Sequence, residues 1–317
     1  MGKLPFTSPW LLAPMDGVTD PAFRKLLLAL HAPEDLGGAF TEFVRVTQTS
    51  VPQHIIAQHL GTERFAMPVG LQLMGNNLEA MATTARTAVE LGAPLVDINF
   101  GCPARGPFRH CAGSSLLSDP AQIERIVKAV AKAVPEVPTT AKIRSGIEDD
   151  LGLEDVARAA ESGGAQLLTV HCRTKTEGYQ EAAINWSRIS RAVKVTSIPV
   201  CGNGGASSFS DLEGMRRETG CAFVMIGRGA IANPWVFSGK RATKSEAARF
   251  LLDYGEAMAV QRGHADASSS PSRKRVAGRI KQLLRYWTAG DLVGDERESW
   301  LRENDPDQLF GRLASFL

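Results

Sequence analysis

Short apolar runs alternate with segments of helical periodicity along the chain as far as residue 226. The apolar runs are Trp10–Ala13, Ala39–Val44, Val69–Met74, Leu95–Phe100, Thr139–Ile143, Leu167–His171, Pro199–Cys201 and Phe223–Ile226. Strands that alternate with helices are typical of a parallel sheet, because each crossover needs a helix. Eight such repeats predict a (β/α)8 TIM barrel.

Helix-start signals support this alternation. A helix is predicted over Asn77–Leu91, and Asp119 followed by Pro120 is a typical start for a second helix over Ala121–Val134. A Rossmann sheet is disfavoured, because its first strand is followed by Gly-x-Gly-x-x-Gly, and the sequence here is Ala-Pro-Met-Asp-Gly at 13–17.

The strand pattern stops near Gly239, where we place a domain boundary. Three helices are predicted beyond it, over Glu246–Gln261, Arg275–Trp287 and Asp307–Phe316, and a flexible loop over Gly263–Ser272. The sequence therefore predicts a catalytic barrel at 1–239 and a small all-helical domain at 240–317.

Composition narrows the class of protein. The 317 residues are 44% hydrophobic and 22% charged with a formal net charge of +2, which indicates a globular chain. The five cysteines never form Cys-x-x-Cys, so neither a disulfide framework nor a zinc ribbon is expected. Neither a signal peptide nor a run of ~20 apolar residues is present, so we expect no membrane association and a cytoplasmic location.

Polar or glycine-flanked residues follow nearly every predicted strand. They are Pro14–Met15, Glu42, Gln72, Asn99 with Cys102, Lys142 with Arg144, His171 with Arg173, Asn203–Gly204 and Gly227–Arg228. Each has a structural explanation when taken separately: Gln72 as a strand cap, Lys142 as the partner of a carboxylate, His171 as a buried core histidine. In a barrel, however, all of them meet at the mouth where active sites lie.

Cys102 is the most specific of these residues. It lies between Gly101 and Pro103 in a turn that follows a buried strand. Glycine permits unusual dihedrals and proline restricts its own φ, so the sulfur is held in a set direction. The alternative is an inert buried cysteine that caps the strand.

Two glycine-rich turns follow the last two predicted strands. They are Gly202–Gly205 and Gly227–Gly229, the second of which contains Arg228. Barrels build phosphate sites from these loops, where backbone N–H groups surround the anion. Two flexible turns without a ligand are the alternative.

A basic segment follows in the predicted helical domain. Between Arg262 and Arg285 there are seven basic residues and one acid, Asp266; the others are Arg273, Lys274, Arg275, Arg279 and Lys281. Such a local excess in a nearly neutral chain favours contact with nucleic-acid phosphates over a merely solvated helix face.

Taken in order, the motifs resemble those of the tRNA-dihydrouridine synthases, flavin mononucleotide (FMN) enzymes that reduce selected uridines in transfer RNA. The matching segments are residues 13–20, 41–44, 72–75, 97–103, 142–144, 171–174, 203–204 and 225–230. Residues 41–46, 177–179 and 279–283 are most similar to the bacterial C-type branch, which acts on the uridine at position 16 of the D-loop. Cys172 and Gly205 depart from the family pattern, which has glycine and commonly an acid there.

The resemblance implies a role for each matched residue. Cys102 is the expected proton donor. The expected FMN-binding residues are Pro14, Met15, Asp16, Gln72, Lys142, His171, Asn203, Gly204, Gly205, Gly227 and Arg228. For a transfer-RNA substrate, position at the barrel mouth makes Arg45, Asn99, Arg144, Arg173 and Tyr179 the expected contacts. The local charge described above adds Lys274, Arg275, Arg279, Lys281 and Arg285.

The chemistry implied is addition of hydride from flavin N5 to C6 of uracil and of a proton from Cys102 to C5. NADPH is expected to re-reduce the flavin. We expect a monomer without a stable protein partner.

Four other functions remain open on the residues alone. The closest is a flavin barrel that acts on a small molecule such as dihydroorotate, which would have no use for the basic C-terminal helices. An aldolase would use Lys142 as a Schiff base. A non-catalytic RNA-binding module would leave Cys102 unexplained. A metal site formed by His110, Cys111, Cys102 and Cys172 lacks any recognised ligand spacing, and we expect none.

Overall fold

The structure, a computed structural model, describes residues 4–103, 112–261 and 270–317. Four features singled out in the sequence lie outside these ranges: the loop after Cys102 with His110 and Cys111, Arg262, Asp266, and the predicted loop as far as residue 269. Ser270–Ser272, predicted as part of that loop, begin a helix instead.

Nine strands form one sheet in the described part of the chain. They are β1 (Trp10–Leu12), β2 (Gly38–Phe40), β3 (Val44–Arg45), β4 (Val69–Met74), β5 (Val96–Phe100), β6 (Thr139–Arg144), β7 (Leu168–His171), β8 (Val200–Asn203) and β9 (Phe223–Ile226). The order β1-β2-β4-β5-β6-β7-β8-β9 closes through parallel pairing of β9 with β1, and β3 pairs only with β4. The closed eight-stranded parallel barrel confirms the predicted fold.

The second predicted strand is interrupted after Phe40. Phe40 pairs with Gly70 and Val44 with Leu73, so one extra residue is accommodated between them, as in a β-bulge. The hydroxyl of Thr41 accepts the backbone N–H of Gln72 at 3.1 Å, in the place of a ladder carbonyl. The bulge brings the chain to Glu42, whose carboxylate accepts the N–H of Gly17 at 2.5 Å.

Twelve α-helices are present in the same described residues. They are α1 (Pro21–Leu30), α2 (Gln53–Leu60), α3 (Leu78–Glu90), α4 (Pro120–Ala133), α5 (Leu153–Ser162), α6 (Ser187–Val195), α7 (Phe209–Thr219), α8 (Arg228–Ala232), α9 (Lys244–Gln261), α10 (Ser270–Leu284), α11 (Arg297–Arg302) and α12 (Pro306–Ala314). The predicted helix starts are confirmed: Asn77 caps α3 by accepting the N–H of Ala80, and Asp119 caps α4 by accepting that of Gln122.

The inside of the barrel changes character along its strands. Near the amino ends, Leu11, Phe40, Leu95, Leu167, Cys201 and Met225 form an apolar cluster against which Leu4 and Phe6 pack. Residues two positions further along a strand lie on the same face. There the inward side chains are polar, for example Asp97 after Leu95 and Thr169 after Leu167.

The chain divides into two compact units. The first, Met1–Pro21, Pro33–Ala206 and Ser210–Ile226, contains the barrel strands; the second is Ala22–Ala32, Ser207–Phe209 and Gly227–Leu317. In the second unit Phe23 of α1 packs edge-on against Phe250 at 6.0 Å and Tyr254 at 6.1 Å, so α1 shares a core with the C-terminal helices. The functional division at Gly239 stays a prediction. No helix in residues 4–103, 112–261 and 270–317 is long and apolar enough to cross a membrane.

Candidate active site

A buried carboxylate lies at the centre of the polar layer of the barrel. Gln72, Asp97 and Thr140 are register partners across β4, β5 and β6. Gln72 Nε2 donates to Asp97 Oδ2 at 2.6 Å and Thr140 Oγ1 donates to Asp97 Oδ1 at 2.6 Å. Burial raises the pKa of Asp97, and these two donors together with Lys142 oppose the rise. The carboxylate is thus held from both sides.

Asn99 connects this carboxylate to the cysteine turn. Its Nδ2 donates to Gln72 Oε1 at 2.7 Å. Its Oδ1 accepts the backbone N–H of Gly101 at 2.9 Å and that of Cys102 at 2.8 Å. The predicted strand-end residues Gln72, Asn99 and Cys102 are therefore joined in one hydrogen-bonded chain.

The Cys102 turn is also held from the carbonyl side. The N–H of Ser114 donates to the carbonyl of Cys102 at 2.9 Å. Gly113 has φ +61°, and a Cβ there would lie 2.4 Å from that carbonyl oxygen, so only glycine permits this approach. Burial, with Asp16 as the second cause, raises the pKa of the Cys102 thiol. At neutral pH the sulfur therefore carries its proton.

Lys142 and Asn203 form a second polar pair. Lys142 Nζ donates to Asn203 Oδ1 at 3.0 Å, and Asn203 Nδ2 donates to the carbonyl of Met225 at 2.7 Å. Removal from water, and then the neighbouring Arg144, lower the pKa of Lys142 to about 8. A cation that loses its charge so close to neutrality is unusual and is typical of functional sites.

His171 is buried and neutral. Burial, followed by Lys142 and Arg144, lowers its pKa well below the ordinary value. Its Nδ1 accepts the backbone N–H of Arg173 at 3.3 Å, so Nε2 carries the ring proton. The ring of Tyr179 meets it edge-on, with 6.2 Å between centroids.

The turn after β8 has the form of an anion cradle. Gly204 and Gly205 have φ +103° and +89°. The carbonyl of Gly204 accepts Trp186 Nε1–H at 3.0 Å and the thiol of Cys172 at 3.4 Å. In a trans peptide the N–H points opposite to the carbonyl, so the N–H of Gly205 points away from both donors. The N–H of Gly205 can therefore donate to an anion on that side, such as the phosphate of a nucleotide.

Arg144, predicted as a transfer-RNA contact, joins the cysteine turn to the loop after β7. Its Nε donates to the carbonyl of Gly101 at 2.8 Å. Its Nη1 donates to the carbonyls of Thr174 at 3.0 Å and Gly178 at 3.2 Å. The guanidinium also lies 5.2 Å from the ring of Tyr179, which is 56% exposed. The loop therefore displays an aromatic ring beside a cation.

An ion-pair cluster that the sequence analysis missed holds the same loop. Arg188 of α6 contacts Asp150 at 2.5 Å and Glu177 at 2.7 Å, and also donates to the carbonyl of Cys172 at 3.0 Å. Arg191 pairs with Asp150 and with Glu154 at 2.6 Å each. Glu177 accepts the N–H of Thr174 at 2.8 Å, so the cluster is anchored to the loop backbone.

The remaining predicted barrel residues lie in or directly after strands, with Arg45 as the last residue of β3. Pro14, Met15 and Asp16 follow β1, where Met15 N–H donates to Thr19 Oγ1 at 2.8 Å. Arg45 lies over the ring of Phe43 at 5.6 Å. Arg173 Nε donates to the carbonyl of Gln180 at 2.7 Å.

In the second unit the predicted residues lie on α8 and on or beside α10. Arg228 begins α8 and Gly227 directly precedes it. Lys274, Arg275 and Arg285 are exposed, whereas Lys281 Nζ donates to the carbonyl of Glu303 at 2.7 Å and Arg279 to Gln282 at 2.8 Å. Lys274, Arg275 and Arg285 are therefore the most accessible of the five predicted phosphate contacts in this segment.

No group of three or more His, Cys, Asp or Glu side chains that could hold a metal ion occurs among the described residues. The functional residues that sequence reasoning missed are Asp97, Thr140, Trp186 and Arg188. A signal for the first two was present, since Asp97 shares a strand face with Asn99, and Thr140 shares one with Lys142.

Comparison with known proteins is consistent with this geometry. The family model Dihydrouridine synthase (Dus) matches residues 11–301. The tRNA-dihydrouridine(16) synthase of Pseudomonas syringae pv. tomato is 39% identical over 70% of this chain and 71% of its own length. The protein of the same name from Haemophilus influenzae is 35% identical over 87% of this chain and 89% of its own. The protein of that name from Shewanella oneidensis is 40% identical over 71% of this chain and 72% of its own length.

Proposed function

Since the chain belongs to the dihydrouridine synthase family, we propose that it reduces the uridine at position 16 of transfer RNA to 5,6-dihydrouridine. The position is supported by relatives named tRNA-dihydrouridine(16) synthase that are 35–40% identical to this chain. The observation that carries the proposal is the fixed Cys102 turn, which presents a protonated thiol at the carboxyl end of β5.

FMN fits the residues at this end of the barrel, because the Gly204–Gly205 turn suits a phosphate and the polar layer beside it suits a flavin edge. When bound and reduced, it supplies the hydride for C6 of uracil. Gln72 and Lys142 would lie along the flavin ring. Asn203, Gly204 and Gly205 would bind the phosphate of FMN. Pro14, Met15, Asp16 and His171, together with Gly227 and Arg228, remain the other proposed FMN residues.

Cys102 supplies the proton for C5. The S–H bond breaks as the new C–H bond forms, and the sulfur keeps the electron pair as a thiolate. The charges of Arg45, Arg144 and Lys142 favour the thiolate, since each opposes the rise of the Cys102 pKa. The thiol is then restored by a proton from solvent. Because His171 is neutral, its ring places no further positive charge near Lys142.

Recognition of transfer RNA is proposed for two groups of residues. Tyr179 offers a base a stacking surface beside the Arg144 guanidinium, with Arg173, Arg45 and Asn99 as further contacts. Base extrusion is required, because a stacked uridine cannot reach the barrel mouth. Lys274, Arg275 and Arg285, with Arg279 and Lys281, are proposed to bind phosphates. We further propose that NADPH re-reduces the flavin and that the protein is a cytoplasmic monomer.

The test is a Cys102→Ala variant compared with Cys221→Ala, a buried cysteine to which we assign no role. Both are purified, their flavin absorbance is recorded, and both are incubated with NADPH and unmodified transfer RNA. Mass spectrometry then maps dihydrouridine along the RNA. We expect flavin in both and modification at position 16 with Cys221→Ala only. Full activity of Cys102→Ala, or turnover of dihydroorotate without any change in the RNA, would contradict the proposal.

A further inference from the structure

The hydrogen bonds that end at the Cys102 turn have a fixed direction. The backbone N–H groups of Gly101 and Cys102 can only donate, so Asn99 must turn its oxygen toward them. Its NH2 group is thereby directed at Gln72, which must accept with Oε1. The NH2 of Gln72 in turn is directed at position 97, where it needs an acceptor.

Asp97 is the acceptor that ends this chain. Its Oδ2 accepts from Gln72, its Oδ1 accepts from Thr140, and it is 1% exposed. Without an acceptor at 97, a buried NH2 group of Gln72 is left unsatisfied. If both amides flipped, Asn99 would face the two backbone N–H groups with its own donor. Either outcome is costly in a buried site.

We infer that Asp97 is a positioning residue for the proton donor: it sets the orientation of the Gln72 and Asn99 amides, and through them the direction of the Cys102 turn. This inference rests on the proposed role of Cys102. The hydrogen bonds of the Asp97 carboxylate go to Gln72 and Thr140, so it acts on Cys102 through other residues.

A second explanation is that Asp97 acts only through its charge on Lys142, whose pKa it raises. Asparagine at 97 separates the two. It can turn its oxygen toward Gln72 and its NH2 toward Thr140, whose hydroxyl can accept as well as donate. Asp97→Asn therefore removes the charge and keeps the acceptor, whereas Asp97→Ala removes both.

Thr140 and Thr139 provide a matched pair of valine substitutions. Thr140→Val removes the donor to Asp97 and leaves shape nearly unchanged. Thr139 is adjacent, equally buried, and its Oγ1 has no hydrogen-bond partner among the described residues. Thr139→Val is thus the control for a change of threonine to valine in β6.

The experiment measures single-turnover formation of dihydrouridine at saturating FMN, and separately the alkylation of Cys102 by iodoacetamide in flavin-free protein. We expect Asp97→Ala to lower the rate constant on the order of a hundredfold, the effect of misplacing a reacting group by about 1 Å. Thr140→Val should lower it between about two- and tenfold. Asp97→Asn should lower it clearly less than Asp97→Ala does, because it keeps the acceptor for Gln72. Thr139→Val should stay within about twofold of the wild-type protein, a difference of ~0.4 kcal/mol.

Alkylation distinguishes a loosened turn from a general loss of structure. Asp97→Ala should make Cys102 react faster, because its turn is no longer held, while the fully buried Cys201 stays unreactive. If Asp97→Ala does not fold, the comparison of Thr140→Val with Thr139→Val carries the same test.

Two outcomes would overturn the inference. An equal loss of the rate constant in Asp97→Asn and Asp97→Ala would assign Asp97 a charge role. Unchanged Cys102 alkylation in both Asp97→Ala and Thr140→Val would show that the turn does not depend on Asp97. If the unmodified protein forms no dihydrouridine, the proposed function fails, while the alkylation result still tests the hydrogen-bond chain.

Discussion

Substitution of Gly204 by alanine tests whether the turn after β8 is built around a close approach that excludes any side chain. The backbone at Gly204 has φ +103°, which side chains other than glycine rarely adopt. A Cβ there would lie 2.9 Å from Cys172 Sγ and 3.2 Å from His171 Nε2. Both neighbours are buried and belong to the site, so neither can move away freely.

The expected loss of stability has two parts. The left-handed backbone conformation costs about 1–2 kcal/mol with a Cβ present. Overpacking against two buried side chains adds about 1–3 kcal/mol. We therefore expect Gly204→Ala to lower the free energy of unfolding by about 2–5 kcal/mol. Gly220→Ala is the matched control, because φ is +74° there and the nearest atom to a Cβ is Val193 Cγ1 at 3.8 Å, an ordinary contact.

Two assays are needed, both on flavin-free protein. Urea unfolding measures the free energy of unfolding, and titration of the folded protein with FMN and with riboflavin measures the affinity for each ligand. Gly220→Ala should lose only the backbone part, about 1–2 kcal/mol, and should bind FMN normally. Gly204→Ala should lose more and bind FMN about tenfold more weakly, the equivalent of ~1.4 kcal/mol. Riboflavin, which has no phosphate, should be affected less. Equal destabilisation of the two variants would refute the close approach, and equal weakening of both ligands would refute the phosphate cradle.

Two further predictions concern charge. The pKa of Lys142 is lowered to about 8, so its cation is present below that pH and is lost above it. We therefore expect dihydrouridine formation to decline as pH rises through about 8. In Lys142→Arg the side chain stays charged, so the decline should move to higher pH. A decline at the same pH in Lys142→Arg would assign it to another group. Replacing the exposed Lys274, Arg275 and Arg285 by glutamine should weaken transfer-RNA binding. The slope of the logarithm of the binding constant against the logarithm of the salt concentration should become shallower by about 0.7–0.9 for each RNA phosphate that the protein no longer neutralises. Lys132→Gln, an exposed change on α4, is the control, and an unchanged slope in the triple variant would mean that this segment does not bind the RNA.

Most of the fold was predictable because its determinants are local. The apolar runs predicted all eight barrel strands, and Asn77 and Asp119 marked helix starts that the structure confirms. The bulge at 41–43 was not predicted, since it depends on a hydrogen bond from Gln72 to a threonine 31 residues earlier. Helix α11 was missed because six residues give too little periodicity.

The candidate site divides in the same way. The motif around Cys102, the glycines at 204 and 205 and the polar strand ends are visible in the chain, because unusual residue types at strand ends are a local signal. The partners of those residues are not. Asp97 and Thr140 are 43 residues apart, and Arg188 and Asp150 are 38 apart.

The sequence by itself determined where the strands and helices form and which residue types stand at the barrel mouth. Those properties follow from side-chain period and backbone preference over a few neighbouring residues. Only the tertiary structure decided that Asp97 ends the hydrogen-bonded chain to Cys102, that Arg144 is held by three carbonyls, and that α1 shares a core with the C-terminal helices. Such pairings depend on strand register and barrel closure, which bring distant residues to within ~3 Å, a hydrogen-bonding distance that no local pattern encodes.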